Sequence, residues 1–542
     1  MGRFRVWTPL LFSLILIIGM TLGFNLRDTL RNKRDIEAVI QRNDRLEEMI
    51  DLINEKYVDS VNSNGLYSDA ISGILNKLDP HTVYIPADQL ESINEDLEGG
   101  FFGIGVEFSI IRDTIQVTSV IENGPAEHAG VGIGDQLIKV NDSVVAGRKI
   151  TSDHIMKLLK GKQHSKVYVT LRQPAGGSTR QIPIERDIVP VFSVEAGVML
   201  DSTTGFIKIN RFSATTYEEF SKVLKKLKAQ GLKQLIVDLR DNPGGYLDDA
   251  TMIADEFLDD KKLIVYTQGR HAQRVEYKAE RDGMFEKGRL AILVDESSAS
   301  ASEILAGAVQ DWDRGLIIGR RTFGKGLVQE QYELEDGAAL RLTIARYYTP
   351  SGRSIQRSFA NGKKAYEEDF TKRFEDGELT GTDSFSVADT GHYFTSRHRP
   401  VYGGGGIHPD IYVPYDTARL SAAFLNMIYS EELKNALWDY FMKHRDSLKF
   451  SSVKDYDRQF AGENDIIASY MASLKESNKP FVIKMLKDPE HSDYFHLQIR
   501  AQLARLLFRD NGYYYINAQK DNVVLRAKQE LNNRDYLKVI GG

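Results

Sequence analysis

The chain has 542 residues, of which 42% are hydrophobic and 27% charged; that is enough for about three or four domains with more than one buried core, and too apolar for general disorder. Lysine and arginine number 70 against 76 aspartate and glutamate, a net charge of −6, so there is no electrostatic case for nucleic acid as a partner. Cysteine is absent, which excludes disulfides, zinc–thiolate sites and cysteine nucleophiles, and suits an oxidising compartment.

Segment 1–28 contains an uncharged, mostly apolar run at 6–24, preceded by Arg3 and Arg5. The run is long enough to cross a bilayer as a helix. No small-x-small cleavage site precedes Asn25, and without cysteine there is no lipoprotein anchor. The expectation is an uncleaved inner-membrane anchor with the body on the periplasmic side; the arginines favour a cytoplasmic N-terminus, opposed by Arg27, Arg31 and Lys33. Cleavage, giving a periplasmic or secreted protein, is the alternative. Region 29–98 then reads as helical, with Ile36, Ile40, Leu46, Ile50 and Ile53 recurring among charged residues.

In 99–174 the pattern is turns and short strands. Phe102-Gly103-Ile104-Gly105-Val106-Glu107-Phe108, then Gly124-Pro125-Ala126-Glu127-His128-Ala129-Gly130 and Gly134-Asp135-Gln136-Leu137-Ile138, together resemble a PDZ domain of the bacterial protease type. The resemblance implies that Phe102, Gly103, Ile104, Gly105 and Val106 receive a peptide terminus. Backbone N–H groups of a glycine loop hold the carboxylate, an exposed strand edge adds the peptide, and an apolar pocket reads the last side chain. Proteins with apolar C-termini are the implied substrates.

Region 175–415 is expected to form the α/β core. Between 205 and 319 the order reads strand, helix, strand, helix, strand, strand, helix, strand, which argues for a largely parallel sheet covered by helices. Thr215 is placed to cap a helix carrying Phe220, Val223, Leu224 and Leu227 and ended by Gly231, with Lys225-Lys226-Leu227-Lys228 as its solvated face. An apolar strand at 234–239 runs into Arg240-Asp241-Asn242-Pro243-Gly244-Gly245, a glycine turn; another, at 289–294, leads to Ser298-Ala299-Ser300-Ala301-Ser302-Glu303 and a small-residue helix. Ser300 therefore sits at a strand-to-helix junction, where unpaired backbone N–H groups can stabilise developing negative charge.

Phe323-Gly324-Lys325-Gly326 follows. A serine hydroxyl needs a base, and a lysine serves only when neutral. From its reference value of about 10.4, the ammonium must fall by about three units, at roughly 4 kcal/mol, which an apolar pocket supplies by disfavouring charge. Other readings fit less well. The glycines around Lys325 lack the Ser or Thr that completes a phosphate loop, Glu303 stands where Ser-x-x-Lys would need lysine, and no Gly-x-Ser-x-Gly elbow is present.

Ser298 to Glu303, Gln310-Asp311, Gly319, Thr322 to Gly326 and Val328-Gln329 together resemble the core signature of the carboxyl-terminal processing, or tail-specific, serine peptidases. The resemblance implies Ser300 as nucleophile, Lys325 as general base and Gln329 as the residue that orients the lysine. Gly245 and Ala301 would supply the oxyanion N–H groups, with Gly244 as the alternative glycine. It also implies a multidomain α/β protein: an α/β spiral peptidase core of crotonase/Clp-like type, an inserted PDZ domain, and helical regions at both ends. Leu78 to Tyr84, Ala345 to Arg353 and Gly406-Ile407-His408-Pro409-Asp410 match further family segments and are assigned no chemistry, His81 included.

Region 416–542 departs from many such relatives. Leu433, Leu437 and Phe441, then Ile499, Leu503, Leu506 and Leu507 ending at Gly512, mark amphipathic helices. Packing on the core is expected, with dimerisation, docking of an adaptor or shielding of the cleft as alternatives. The whole reads as a membrane-anchored serine endopeptidase that needs no metal or cofactor. Its rivals are a non-catalytic PDZ scaffold and a Ser-His-Asp hydrolase.

Overall fold

A computed structural model describes residues 44–174, 177–381, 389–417 and 421–539. The chain divides into two units, 1–84 and 85–542. The apolar run at 6–24 lies outside the described residues, among which no helix is long and apolar enough to cross a membrane.

The first unit contains helices Asp44–Lys56 and Ser63–Leu75. Asn62 caps the second, its Oδ1 accepting from Gly65 N–H at 3.3 Å. His81 lies here in a turn, its N–H donating to Asp79 Oδ1 at 2.8 Å.

Helix Ala87–Glu98 belongs to the second unit, so the region expected to be helical as far as 98 does end in a helix at Glu98 but is divided between the two units. Strands Val106–Ile111, Thr114–Val120, Gln136–Val140, Lys166–Arg172 and Thr179–Glu185 form an antiparallel sheet in that order, with helix Ser152–Leu159 against it. Alternation builds its core: Val167, Val169 and Leu171 are buried while Lys166, Tyr168 and Arg172 are exposed. Thr179–Glu185 pairs residue by residue with Lys166–Arg172. The PDZ boundary expected at 174 therefore falls inside a hairpin, and the domain closes where Gly100–Gly103 pairs with Asp187–Pro190.

A six-stranded sheet organises the core. Val194–Met199 joins antiparallel to Thr204–Ile209, followed in parallel by Gln234–Asp238, Arg289–Val294, Leu316–Gly319 and Ile411–Tyr412. Because each new strand adds on the same side, crossovers of one hand carry the helices Thr216–Ala229, Leu247–Asp255 and Ala301–Asp311 to one face. There they pack on Ile207, Leu235, Val237, Leu290, Ile292 and Ile317. The alternate residues, Phe206, Ile236, Ala291, Leu293, Leu316 and Ile318, point to the opposite face. Both faces are buried, which is why these strands read as continuous apolar runs. A second sheet takes Leu327–Glu333, Ala339–Tyr348, Leu263–Gln268 and Val275–Lys278; Val275–Lys278 is one strand more than the sequence pattern predicts.

Thr215 occupies the N-cap position of helix Thr216–Ala229 but makes no capping bond. Its hydroxyl donates to Glu219 Oε1 at 2.7 Å instead, while Thr216 Oγ1 takes the Ser213 N–H at 2.7 Å.

Residues 421–539 are helical. Leu433, Leu437, Phe441, Ile499 and Leu503 are buried in one cluster that includes Ile111 of the PDZ domain. Helix Asn522–Asn532 lays Val523, Val524, Ala527 and Leu531 on the second face of the central sheet. Gly512 does not end its helix. Pro489–Asn517 runs past it, broken instead at Arg509, whose φ is 55°.

Candidate active site

Two turns at the carboxyl ends of the central strands meet at Asn242. This buried amide donates to Ile209 O at 3.0 Å, and its Oδ1 accepts from Gly244 N–H at 2.9 Å. Its backbone carbonyl accepts from Ala299 N–H at 3.0 Å and Ser302 Oγ at 3.1 Å. The Asn-Pro-Gly-Gly turn is thereby fastened to the serine cluster. Of the three serines, Ser298 spends its hydroxyl on Leu239 O and Ser302 on Asn242 O. Ser300 alone of the three is not fully buried, and it faces a cleft with a cavity volume of about 560 Å³.

Lys325, Gln329, Gly244, Gly245 and Ala301 line the same cleft, with walls from Leu97, Leu247, Ile304, Leu327 and Val328. Lys325 Nζ donates to Gln329 Oε1 at 2.8 Å. Hydrogen bonding separates the two candidate glycines. Gly244 N–H is taken by Asn242, whereas neither Gly245 N–H nor Ala301 N–H has a partner among the described residues. Both positions require glycine. A Cβ on Gly245 (φ 143°) would stand 1.9 Å from Phe212 O, and one on Gly244 (φ 97°) 2.8 Å from Ser300 Cβ.

Two residues assigned no role from sequence hold the serine turn to the lysine loop. Glu303, fully buried, accepts from Ser300 N–H (2.9 Å) and Lys325 N–H (2.9 Å) through Oε2, and from Gly324 N–H (2.8 Å) and Thr322 Oγ1 (2.5 Å) through Oε1. Burial pushes its carboxyl up to about 7. Tyr347, also buried, donates to Ser300 O at 3.1 Å and contacts Lys325 O. The signal for Glu303 was its fixed place three residues after the serine, where an N3 acid reaches back to the N-cap N–H. For Tyr347 no local signal exists, because its partners lie 22 and 47 residues away. The Gln310-Asp311 motif is structural: Arg353, with no exposed surface, bonds Gln310 Oε1 at 2.7 Å and Asp311 Oδ1 at 2.8 Å.

No histidine lines this cleft among the described residues. His408 is buried and held down to about 3 by desolvation and by nearby arginines. Among the described residues no group of acids and histidines forms a metal cluster.

In the PDZ domain, a groove of about 320 Å³ runs between Val106–Ile111, the edge strand of its sheet, and helix Ser152–Leu159. Gly103, Ile104, Gly105 and Val106 line it, with Phe108, Met156 and Leu159. Phe102 does not. It pairs with Ile188 and points away, while Phe101 on the other side of the strand lines the groove.

Comparison with known proteins gives three family matches: peptidase family S41 over residues 203–362, a PDZ domain over 116–173, and the activating protease CtpB N-terminal domain over 24–89. A probable CtpA-like serine protease of Staphylococcus saprophyticus is 35% identical over 328 residues, 60% of this chain and 65% of that protein. The chain thus spans somewhat less than two thirds of that relative. A protein of the same description from Staphylococcus haemolyticus is 31% identical over 401 residues, 73% of this chain and 79% of that one. Among solved structures, a photosystem II D1 C-terminal processing protease is 28% identical, covering 57% of this chain and 89% of its own, with a TM-score of 0.33.

Proposed function

The chain belongs to peptidase family S41 and carries a PDZ domain, and from that footing we propose that it is a serine endopeptidase that captures protein C-termini and cuts nearby peptide bonds. The observation that carries this reading is the single cleft holding Ser300, Lys325, Gln329 and two unpartnered N–H groups. Lys325, uncharged, takes the proton of Ser300 Oγ as the oxygen attacks the scissile carbonyl. Gln329 Oε1, which accepts from the amine at 2.8 Å, fixes its direction. The oxyanion is received by Gly245 and Ala301 N–H, a contribution of about 10²–10³ in rate per donor in comparable sites. Lys325 then passes the proton to the leaving amine as the peptide C–N bond breaks; in the second half, neutral Lys325 takes a proton from the water that attacks the acyl carbon and returns it to Ser300 Oγ as the ester bond breaks.

Ser300→Ala and Lys325→Ala are expected to abolish digestion of casein while leaving the circular dichroism and the binding of a C-terminal peptide unchanged. Full activity in either variant removes the assignment. The Ser-His-Asp rival is disfavoured because no described histidine reaches the cleft. The scaffold rival predicts no Ser300-dependent cleavage by the wild type.

The apolar run at 6–24 supports anchoring in the inner membrane with the peptidase on the periplasmic side. Full-length protein is expected to remain in the membrane pellet after alkaline extraction. Release into the soluble fraction would show a cleaved or peripheral protein instead.

A further inference from the structure

The hairpin Leu327–Glu333 and Ala339–Tyr348 supplies more to the cleft than Gln329. Its register sets Gln329 opposite Thr343 and Gln331 opposite Arg341. Opposed residues share a face, and so do residues two apart along a strand. Gln331 and Arg341 are therefore on the same face as Gln329, about 6.6 Å further along. All three residues line the cleft with Ser300 and Lys325.

Other arginines of the core are engaged by charged or backbone acceptors: Arg320, Arg321, Arg353 and Arg399 each hold a carboxylate, and Arg314 donates to the carbonyls of Phe257, Gly288 and Phe285. Arg341 donates to the neutral Gln331 Oε1 at 2.9 Å, and Gln331 Nε2 in turn donates to Asn94 Oδ1 at 3.2 Å. Among the described residues no acid forms an ion pair with it. Asp248 is the acid in the cleft lining, but it stands at the first turn of helix Leu247–Asp255 and its charge acts on Asp249 and Tyr277. Burial holds the guanidinium below its ordinary value. A partly buried cation with neutral hydrogen-bond partners, in a cleft whose walls include Leu97, Leu247, Leu327 and Val328, is a preorganised acceptor for an anion.

Given the peptidase reading, we infer that Arg341 is a specificity-determining residue that binds a substrate carboxylate about two residues from the scissile bond. Side chains of an extended peptide on one side recur at the spacing that separates Gln329 from Arg341. The carboxylate has two possible sources: an acidic side chain, or the free C-terminus of a protein cut close to its end.

The test uses the full-length protein and internally quenched peptides of one uncharged sequence. A glutamate, or glutamine as its control, is walked through three positions on either side of the cleaved bond, and each peptide is made with a free and an amidated C-terminus. Wild type is expected to favour glutamate over glutamine at one position, or the free over the amidated end, by tenfold or more in kcat/KM. Arg341→Gln should collapse that ratio to within twofold, Arg341→Lys should keep part of it, and Arg341→Glu should turn it toward lysine. A preference confined to the side chain or to the free end identifies the source. Equal cleavage of acid and amide by the wild type, or a ratio unchanged in Arg341→Gln, overturns the inference. Should Arg341→Gln fail to fold, the wild-type walk and Arg341→Lys decide it. A wild type that cleaves neither these peptides nor casein overturns the peptidase reading itself, which is distinct from Ser300-dependent cleavage without acid preference.

Discussion

Ser300 adopts φ 55° and ψ −113°, a conformation that costs a non-glycine residue about 1–3 kcal/mol and persists only when its surroundings overdetermine it. Here they do so through Asn242, Tyr347 and above all Glu303, whose carboxyl receives donors from the serine turn and the lysine loop together. Its protonation is linked to stability. The unfolded chain loses this proton near 4.5, the folded chain near 7. Between those values the folded state binds the extra proton, so stability is greatest below about 4.5 and falls as pH rises to about 7, by roughly 3 kcal/mol in all. Asp295, raised to about 6 by burial and by the charges of Asp241 and Glu296, tilts the curve the same way. Glu303→Gln isolates the first contribution. Relative to the variant, the wild type should lose melting temperature between pH 5 and pH 7.5; a difference constant across that range sinks the linkage. The variant should also lose tenfold or more in kcat, because one amide oxygen replaces two carboxylate oxygens that hold four donors.

Helices and strands were legible where one period dominates. The strands at 234–239 and 289–294 appear as expected because burial on both faces makes them apolar throughout, and the small residues after Ser300 mark a closely packed helix. Gly307 shows how close: a Cβ there would lie 2.9 Å from Thr349 Cγ2. Val275–Lys278 was not legible, since three of its four residues are exposed and the strand exists only by pairing with Leu263–Gln268. Capping failed at Thr215 because its hydroxyl meets a stronger acceptor, the Glu219 carboxylate. Ser300 and Lys325 stood out as residue types in the sequence, and Gln329 through the resemblance to the tail-specific peptidases. Asn242, Tyr347 and Arg341 did not, because their value comes from partners that the fold, not the local sequence, brings near.

At the scale of the molecule, the C-terminal helices complete two other parts. Glu431–His444 and Pro489–Asn517 bury Ile111, the end of the PDZ edge strand, and Arg445 and Arg509 donate to the PDZ carbonyls of Ile133 (3.1 Å) and Val120 (2.8 Å). Further on, Asn511 Oδ1 accepts from Gly197 N–H at 2.8 Å, Arg240 pairs with Asp521 at 2.9 Å, and helix Asn522–Asn532 covers one face of the central sheet. Five large side chains of that face, Phe206, Ile236, Leu293, Leu316 and Ile318, are 1% exposed or less. Returning them to water at about 1.5–3 kcal/mol each costs about 7–15 kcal/mol, the size of a domain's entire stability. The extension is therefore part of the peptidase fold rather than an appendage to it. Truncation after Thr417 should leave the remaining chain insoluble or without a cooperative melting transition, although Ser300 and Lys325 are untouched. Leu531→Asp, which sets a charge in the same contact, should lower the melting temperature while allowing soluble protein to be recovered. Soluble expression of the truncated chain with Ser300-dependent cleavage of casein would show that the sheet does not need this cover.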